Sequence, residues 1–266
     1  APGKSPQKLF QRLSRAYELS GQIETKDRDG KSIPFHIGYN IPLEECPPFV
    51  GVGSIVDVET TGFSEQDDIV ELGMVTFRFS KLSGDVIKQL DEYQSLHEPC
   101  CAISPAARKV HGLSFDDVRG KHIDEEYVND ILCKSNILIA HNAGFDRRFL
   151  AKYFPSVNNA TWYCTMAGIP SKSYGFPSRK LQHVIKGLGI DLEGDAHRGL
   201  SDAKAVLSVL ARRNEANGNM TYLSEMLEGA PVSAPSKYWE DDSYKRPHGN
   251  MTVTLSIGTD GSVSSS

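Results

Sequence analysis

The 266-residue sequence has few cysteines, no long apolar run and no excess of positive charge, and each shortage excludes a class of protein. Its five cysteines, Cys46, Cys100, Cys101, Cys133 and Cys164, are odd in number and include no Cys-x-x-Cys pair, which argues against a disulfide framework or a structural zinc site. That pattern favours a reducing, intracellular location, cytoplasmic or in a nucleoid or nucleus, over secretion. No stretch approaches the length of a membrane span and no signal peptide is visible, so no membrane association is expected. The first residue is Ala1 rather than methionine, as expected where an upstream segment has been removed. A net charge of −5 does not suit a strong nonspecific duplex binder. Gly3-Lys4-Ser5 lacks the leading glycine spacing of a phosphate loop.

What the sequence does hold is a set of acids at the ends of apolar segments. Residues 54–59 form a β-branched run that closes on Thr60-Thr61-Gly62-Phe63, and the pattern predicts a buried strand leaving a sheet at a glycine turn. Side chains alternate along a strand, so Asp57 and Glu59 share one face while Val56 and Val58 pack on the other. Two ionised carboxylates side by side in a partly buried site repel unless one takes a proton or a cation sits between them. Oxygen ligands of this kind suit magnesium or manganese, and magnesium shares its remaining positions with substrate phosphate oxygens. An isolated Asp-x-Glu is also a common solvated pair, so the meaning of this one depends on the rest of the chain.

A second segment, residues 136–150, reads as an apolar strand, a small-residue turn containing His141, Asn142, Ala143 and Gly144, and an amphipathic helix anchored by Phe145, Phe149, Leu150 and Tyr153. Asp146 falls in the first turn of that helix, near the carboxyl end of the strand, where open α/β sheets bind ligands; an acid there also complements the helix dipole. A third segment runs from Asp195 through His197 and Asp202 into a helix with good helix formers and an apolar stripe. His197 and Asp202 are five residues apart and converge only if the histidine lies on the approach loop. A histidine so placed suits proton transfer, although a lone histidine is more commonly a surface or core residue.

Taken together, Asp57-x-Glu59-Thr60-Thr61-Gly62, His141-Asn142-Ala143-Gly144-Phe145-Asp146 and His197-Arg198-x-x-x-Asp202-Ala203 resemble the three motifs of the DEDDh, or DnaQ-like, exonucleases in content and order. Val110-His111-Gly112-Leu113 after Ile103-Ser104-Pro105, and the run Trp162-Tyr163-Cys164-Thr165-Met166, look most like the bacterial exonuclease X branch. The resemblance covers roughly residues 51–216. It implies an RNase H-like three-layer α/β fold, with a mixed five-stranded sheet between helices, and a 3′→5′ exonuclease that works with two Mg²⁺ or Mn²⁺ ions. In that scheme Asp57 bridges both ions, Glu59 and Asp202 complete the inner one, Asp146 holds the second, and His197 is the general base. A water acidified by the inner ion gives its proton to His197 and attacks the last phosphodiester, releasing a 5′-mononucleotide.

Substrate contacts are expected from Thr60, Thr61, Gly62 and Phe63 where the first strand ends, with Phe63 either stacking on a base or packing in the core. Asn142 and His111 are expected at the nucleotide pocket on the resemblance, with buried structural roles as the alternative. Arg147, Arg148, Lys172, Arg179, Lys180 and Arg198 are candidates for a positive rim. The expected partner is a single-stranded or frayed 3′ end, DNA rather than RNA on the branch resemblance. A nuclease-like module that only binds nucleic-acid ends or a partner protein is the competing reading.

The pattern predicts strands near 54–59, 68–77 and 86–95 as an antiparallel meander and a parallel strand at 136–140. Helices are expected near 104–111, 123–133, 144–154, 178–188 and 198–214. Residues 1–50 form an N-terminal extension with a helix at 6–20 and a hairpin through Asp27-Arg28-Asp29-Gly30. Residues 217–266 are read as a linker and an accessory strand at 251–257. That strand is expected to pair with the N-terminal hairpin for partner docking, and residues 261–266 are expected to fray.

Overall fold

A single long strand, β1 (Val50–Thr60), carries the core, because its side chains alternate between two apolar layers. The structure, a computed structural model, describes residues 50–191 and 196–233, together with the strand pairs 24–26 with 32–34 and 255–257 with 263–265. β2 (Ile69–Ser80) and β3 (Val86–Leu96) continue from β1 as an antiparallel meander. On the other side β4 (Ile137–Ala140) and β5 (Trp162–Cys164) pair parallel to it, giving a five-stranded sheet in the order β3-β2-β1-β4-β5. The parallel pairs follow from the helical connections between them, since a short turn cannot return a chain in the same direction.

Ile55 faces one layer, with Val75, Phe77 and Ile139, covered by α4 (Leu181–Gly187), α5 (Gly199–Ala211) and α6 (Tyr222–Glu228). Val56 and Val58 face the other layer, with Leu72, Met74 and Leu138, covered by α2 (Glu125–Lys134) and α3 (Ala143–Tyr153). Helices therefore cover both faces of a mixed sheet, the RNase H-like arrangement expected from the motifs. Asp57 and Glu59 share the parity of Ile55 and so point to the α5 side.

Local signals set the helix ends. α1 (Pro105–His111) starts on Ser104, whose side chain accepts from the Ala107 N–H, and stops at Gly112, which adopts the left-handed φ of 77° that glycine tolerates. α4 begins at Leu181, three residues later than expected, because Ser178 turns its hydroxyl to the Lys180 N–H and His183 Nδ1 rather than entering a helix. α5 ends at Ala211, and Arg213–Asn214 then pairs with Met220–Thr221. α6 buries Tyr222, Leu223 and Met226 in the cluster that holds α5, so core packing continues beyond residue 216.

The helix expected at 6–20 lies outside the described residues. Glu24–Lys26 pairs with Ser32–Pro34 across the predicted hairpin. Leu255–Ile257, expected to pair with the N-terminal hairpin, takes Val263–Ser265 as its partner, and residues 263–265 are a strand where fraying was expected. A local hairpin costs less loop-closure entropy than a pairing between opposite ends of the chain.

Candidate active site

Four carboxylates reach the site from three elements. Asp57 and Glu59 come from the end of β1, Asp146 from the first turn of α3 and Asp202 from the first turn of α5. β1 outruns its parallel neighbour: its pairing with β4 stops at Ile55, and the Val58 N–H donates instead to Asp146 Oδ1 at 3.1 Å. That bond ties the helix-borne acid to the residue between Asp57 and Glu59.

Asp202 is delivered by a contact between two glycines. Asp57 is opposite Gly73 on β2, and a methyl group at Gly73 would lie 2.0 Å from the Gly199 carbonyl carbon and 2.1 Å from the Leu200 nitrogen. Both are backbone atoms and cannot swing aside, so only glycine lets the start of α5 rest on the sheet here. Asp202 is buried, its Oδ2 accepts from the His197 N–H at 3.2 Å, and its Oδ1 is buried with no hydrogen-bond partner among the described residues.

Electrostatics mark the four acids as a group. Burial pushes Asp57 well above the usual carboxylate range, and the charges of Asp146, Glu59 and Asp202 push it further. Burial raises Glu59 to about 8, with Asp202, Glu71 and Asp146 adding to the effect and Arg198 opposing it. Burial raises Asp146 to about 7 against the hydrogen bonds from the backbone N–H groups of Val58 and Asp146. Asp202 is also raised by burial, opposed by His197, by the His197 N–H and by the Gln182 side chain. Clustered acids held away from their ionised form are the groups whose charge a bound cation would stabilise.

Ligand atoms of Glu59, His197 and Asp202 lie within 4.8 Å of one another. Asp57 and Asp146 lie outside that group of atoms but are coupled to it through their charges, and carboxylate oxygens of this kind suit a hard divalent cation. His197 is exposed on the approach to α5 and adopts a left-handed φ of 60°.

The expected substrate residues divide. The Thr60 hydroxyl donates to the Gly62 carbonyl at 2.6 Å, and the Thr61 hydroxyl donates to Asp67 Oδ1 at 2.8 Å while accepting from the Asp68 N–H at 2.9 Å. Both hydroxyls therefore shape the turn. A methyl group at Gly62 would sit 2.6 Å from the Asp67 carboxylate that closes the turn, so a larger residue there would have to displace that side chain from its hydrogen bonds. Phe63 is 70% exposed, which removes the core-packing alternative, and its ring lies 5.8 Å from that of Phe145. The Phe63 carbonyl accepts from Arg148 at 2.8 Å. Asn142 is exposed at the start of α3 and its side chain does not cap the helix. His111 is buried; its Nδ1 accepts from the Leu113 N–H at 3.0 Å, which leaves the proton on Nε2, and its ring lies against the Thr60 backbone.

Two cations of the expected rim face inward. Arg147 is buried and donates to the carbonyls of Ser233 and Asn158, and Arg198 forks onto Glu71. Lys172, Arg179 and Lys180 are exposed, and Arg148 is half-buried. Sequence reading missed Glu71, although a single acid in the otherwise apolar run Ile69-Val70-Glu71-Leu72 was a signal that it has a partner. Cys100, Cys101, Cys133 and Cys164 are free, and no helix among the described residues is long and apolar enough to cross a membrane.

The RNase_T family model, described as exonuclease, matches residues 54–210, more than half of the chain. The DNA polymerase III PolC-type of Thermotoga maritima is 32% identical over 180 residues, covering 65% of this chain and 13% of that protein. The DNA polymerase III subunit epsilon of Treponema pallidum is 28% identical over 176 residues, covering 61% of this chain and 78% of that protein. The match thus spans only a small part of the length of the PolC-type relatives, between 11% and 14% in Thermotoga petrophila and Streptococcus agalactiae. The crystal structure of a full-length 3′-exonuclease shares the fold, with a TM-score of 0.50 at 18% identity over 65% of this chain and 63% of that one. Exonuclease X in complex with 5′ overhanging duplex DNA gives a TM-score of 0.47 at 24% identity, covering 65% of this chain and 99% of that one. On the match across residues 54–210, the chain belongs to the RNase_T exonuclease family, in the DnaQ-like group that its motifs resemble.

Proposed function

We propose that the chain is a metal-dependent 3′→5′ exonuclease that hydrolyses the terminal phosphodiester of a nucleic-acid strand, DNA in preference to RNA, and releases 5′-mononucleotides. The observation that carries this reading is the gathering of Glu59, His197 and Asp202 within 4.8 Å of one another, with Asp57 and Asp146 coupled to them by charge and all four acids raised in proton affinity. Asp57, Glu59 and Asp202 would hold an inner Mg²⁺ or Mn²⁺, and Asp57 with Asp146 a second. Ions bound there would acidify the attacking water and neutralise charge on the leaving 3′ oxygen.

The protein's own groups do the rest. His197, exposed beside Glu59 and Asp202, accepts the proton of the attacking water. Phe63, braced by Phe145 and by Arg148 on its carbonyl, stacks on a terminal base, a contact indifferent to sequence. Gly62, Asn142 and His111 line the approach, and Thr60 and Thr61 hold its shape. The DNA polymerase III proteins among the curated relatives support DNA as substrate and an intracellular location. A strand end, single-stranded or frayed, fits a net charge of −5 better than a long duplex does. Docking of a protein partner through the terminal extensions belongs to the same reading, supported by a relative that is a polymerase subunit.

The test is digestion of labelled single-stranded DNA, duplex DNA and RNA. Mononucleotide release with magnesium or manganese, lost with calcium or chelator, is the expected result. Binding of strand ends without release under any metal would replace the enzyme with a binding module.

A further inference from the structure

Glu71 does not touch the expected path of the reaction, yet it is the most completely engaged acid near the site. It lies on β2 in register with Glu59 on β1 and is fully buried. Arg198 Nε donates to its two oxygens at 3.2 and 3.0 Å, Arg198 Nη2 at 2.8 Å, the Gly199 N–H at 3.2 Å and Gln94 Nε2 at 2.6 Å. A guanidinium fork matches a carboxylate in direction as well as charge, so Arg198 is held in one orientation. The Gly199 N–H is the first of α5, and Glu71 therefore serves as an acceptor for the helix start from another strand.

The residue immediately before this clamp is His197. Its φ of 60° is uncommon for a residue with a β-carbon, although histidine enters that region more readily than most. Hydrogen bonds fix the backbone on both sides of it. The His197 N–H is bonded to Asp202, and the next two residues are bonded to Glu71 through the Arg198 side chain and the Gly199 amide. The imidazole is left exposed, within 4.8 Å of ligand atoms of Glu59 and Asp202. α5 already has its own seat on the sheet, through Gly73 against Gly199 and through buried Ala203, Val206 and Leu210. What the Glu71–Arg198 pair adds is the orientation of residues 197–199.

We propose that Glu71 is a positioning residue for hydrolysis: by clamping Arg198 and the first amide of α5 it presents His197 over Glu59 and Asp202. This rests on the reading of His197 as the proton acceptor. Glu71 acts through His197, so its effect disappears when the imidazole is absent. The experiment measures kcat and KM on a labelled oligonucleotide with magnesium for the intact chain and for Glu71→Gln, Arg198→Lys, His197→Ala and the double variant Glu71→Gln/His197→Ala, with thermal melts of each.

For Glu71→Gln, kcat falls about 10- to 100-fold with KM within about twofold, the size of effect expected when a reacting group is displaced by about 1 Å. Arg198→Lys keeps the charge but not the fork, and loses about 3- to 10-fold in kcat. Added to His197→Ala, Glu71→Gln brings no further loss. Wild-type kcat in Glu71→Gln, or the same fractional loss with and without His197, overturns the proposal. If Glu71→Gln fails to fold, Arg198→Lys alone and in the His197→Ala background decides the question by the same comparison. A His197→Ala enzyme with wild-type kcat removes the assignment of the base itself, a failure that the single variant identifies separately.

Discussion

The acids from the end of β1 through the start of β2, Asp67, Asp68 and Glu71, and the acids of the candidate site have opposite fates. Burial would push Asp67, Asp68 and Glu71 upward, but hydrogen bonds outweigh it in each. Ser64 and Thr61 serve Asp67; Tyr153, Cys100 and the Ile69 N–H serve Asp68; Arg198, Gln94 and Gly199 serve Glu71. All three lie below the usual carboxylate range. Asp57, Glu59, Asp146 and Asp202 have burial without enough donors and are raised. Acidity by itself therefore does not separate the two sets. The lack of hydrogen bonds around the second, in a protein that satisfies the first, does, and it is the second set that the proposed function uses.

The most severe way to break that contrast is Asp57→Asn, which keeps the shape of the side chain and removes its charge. Turnover is expected to fall by at least about 10³-fold, because the charge that two ions would share is gone. The metal-free variant melts higher than the parent, by about 2–4 °C if the relieved repulsion is about 1 kcal/mol. A nuclease assay paired with a melt in chelator reads both, and a variant that melts lower would mean that Asp57 is satisfied by some other partner.

Next in size is Gly73→Ala, which leaves every acid in place and lifts the start of α5 off the sheet. A displacement of Asp202 of about 1 Å costs about 10²-fold in kcat, and overpacking against backbone costs about 1–3 kcal/mol in stability. Kinetics and a denaturant melt of this variant show whether the approach of helix to sheet sets the geometry of the site.

The contrast also predicts a pH profile for the metal-free protein. Groups raised in the fold, Glu59 to about 8 and Asp146 to about 7, contribute stability that is fully present below the unfolded carboxylate value of about 4 and is lost as pH rises from there through their raised values. Groups lowered in the fold, Asp67, Asp68 and Glu71, contribute stability above the usual carboxylate value of about 4 and lose it as pH falls through their lower values. Stability in chelator should thus peak near about pH 4, where the unfolded carboxylates titrate, and decline from there to about pH 8. Magnesium should restore it at pH 8, since it binds the ionised acids and not the unfolded chain. A melting temperature that stays flat from pH 6 to 8 without metal would contradict the raised values.

The smallest effect belongs to Phe63→Ala. With 70% of Phe63 in solvent, the melt should not move, while loss of stacking of about 1–3 kcal/mol raises KM about 5- to 100-fold. An unchanged KM would place the terminal base elsewhere.

Much of the site was legible because its signals are local. Asp57 and Glu59 share a face through a two-residue period, and Asp146 and Asp202 each fall in the first turn of a helix whose apolar stripe is plain. The five-stranded sheet followed from turns short enough to force antiparallel pairing and helical connections long enough to permit parallel pairing. What escaped depends on register between distant strands. Nothing near Glu71 reveals that it will face Glu59 and meet Arg198, which is 127 residues away. Gly73 likewise gives no local sign that Gly199 will rest on it. Arg147 and Arg198 looked like surface cations, because sequence shows a charge and not the carbonyls or carboxylate that take it inside.

The left-handed backbone at His197 has a consequence for anyone wishing to make this protein more robust. Glycine occupies that region freely and asparagine more readily than histidine does, so a search for thermal tolerance would tend to select either one at this position. The more durable protein so obtained would have exchanged its imidazole for ease of backbone and, on the proposed role of His197, would trade hydrolysis for endurance at a single residue.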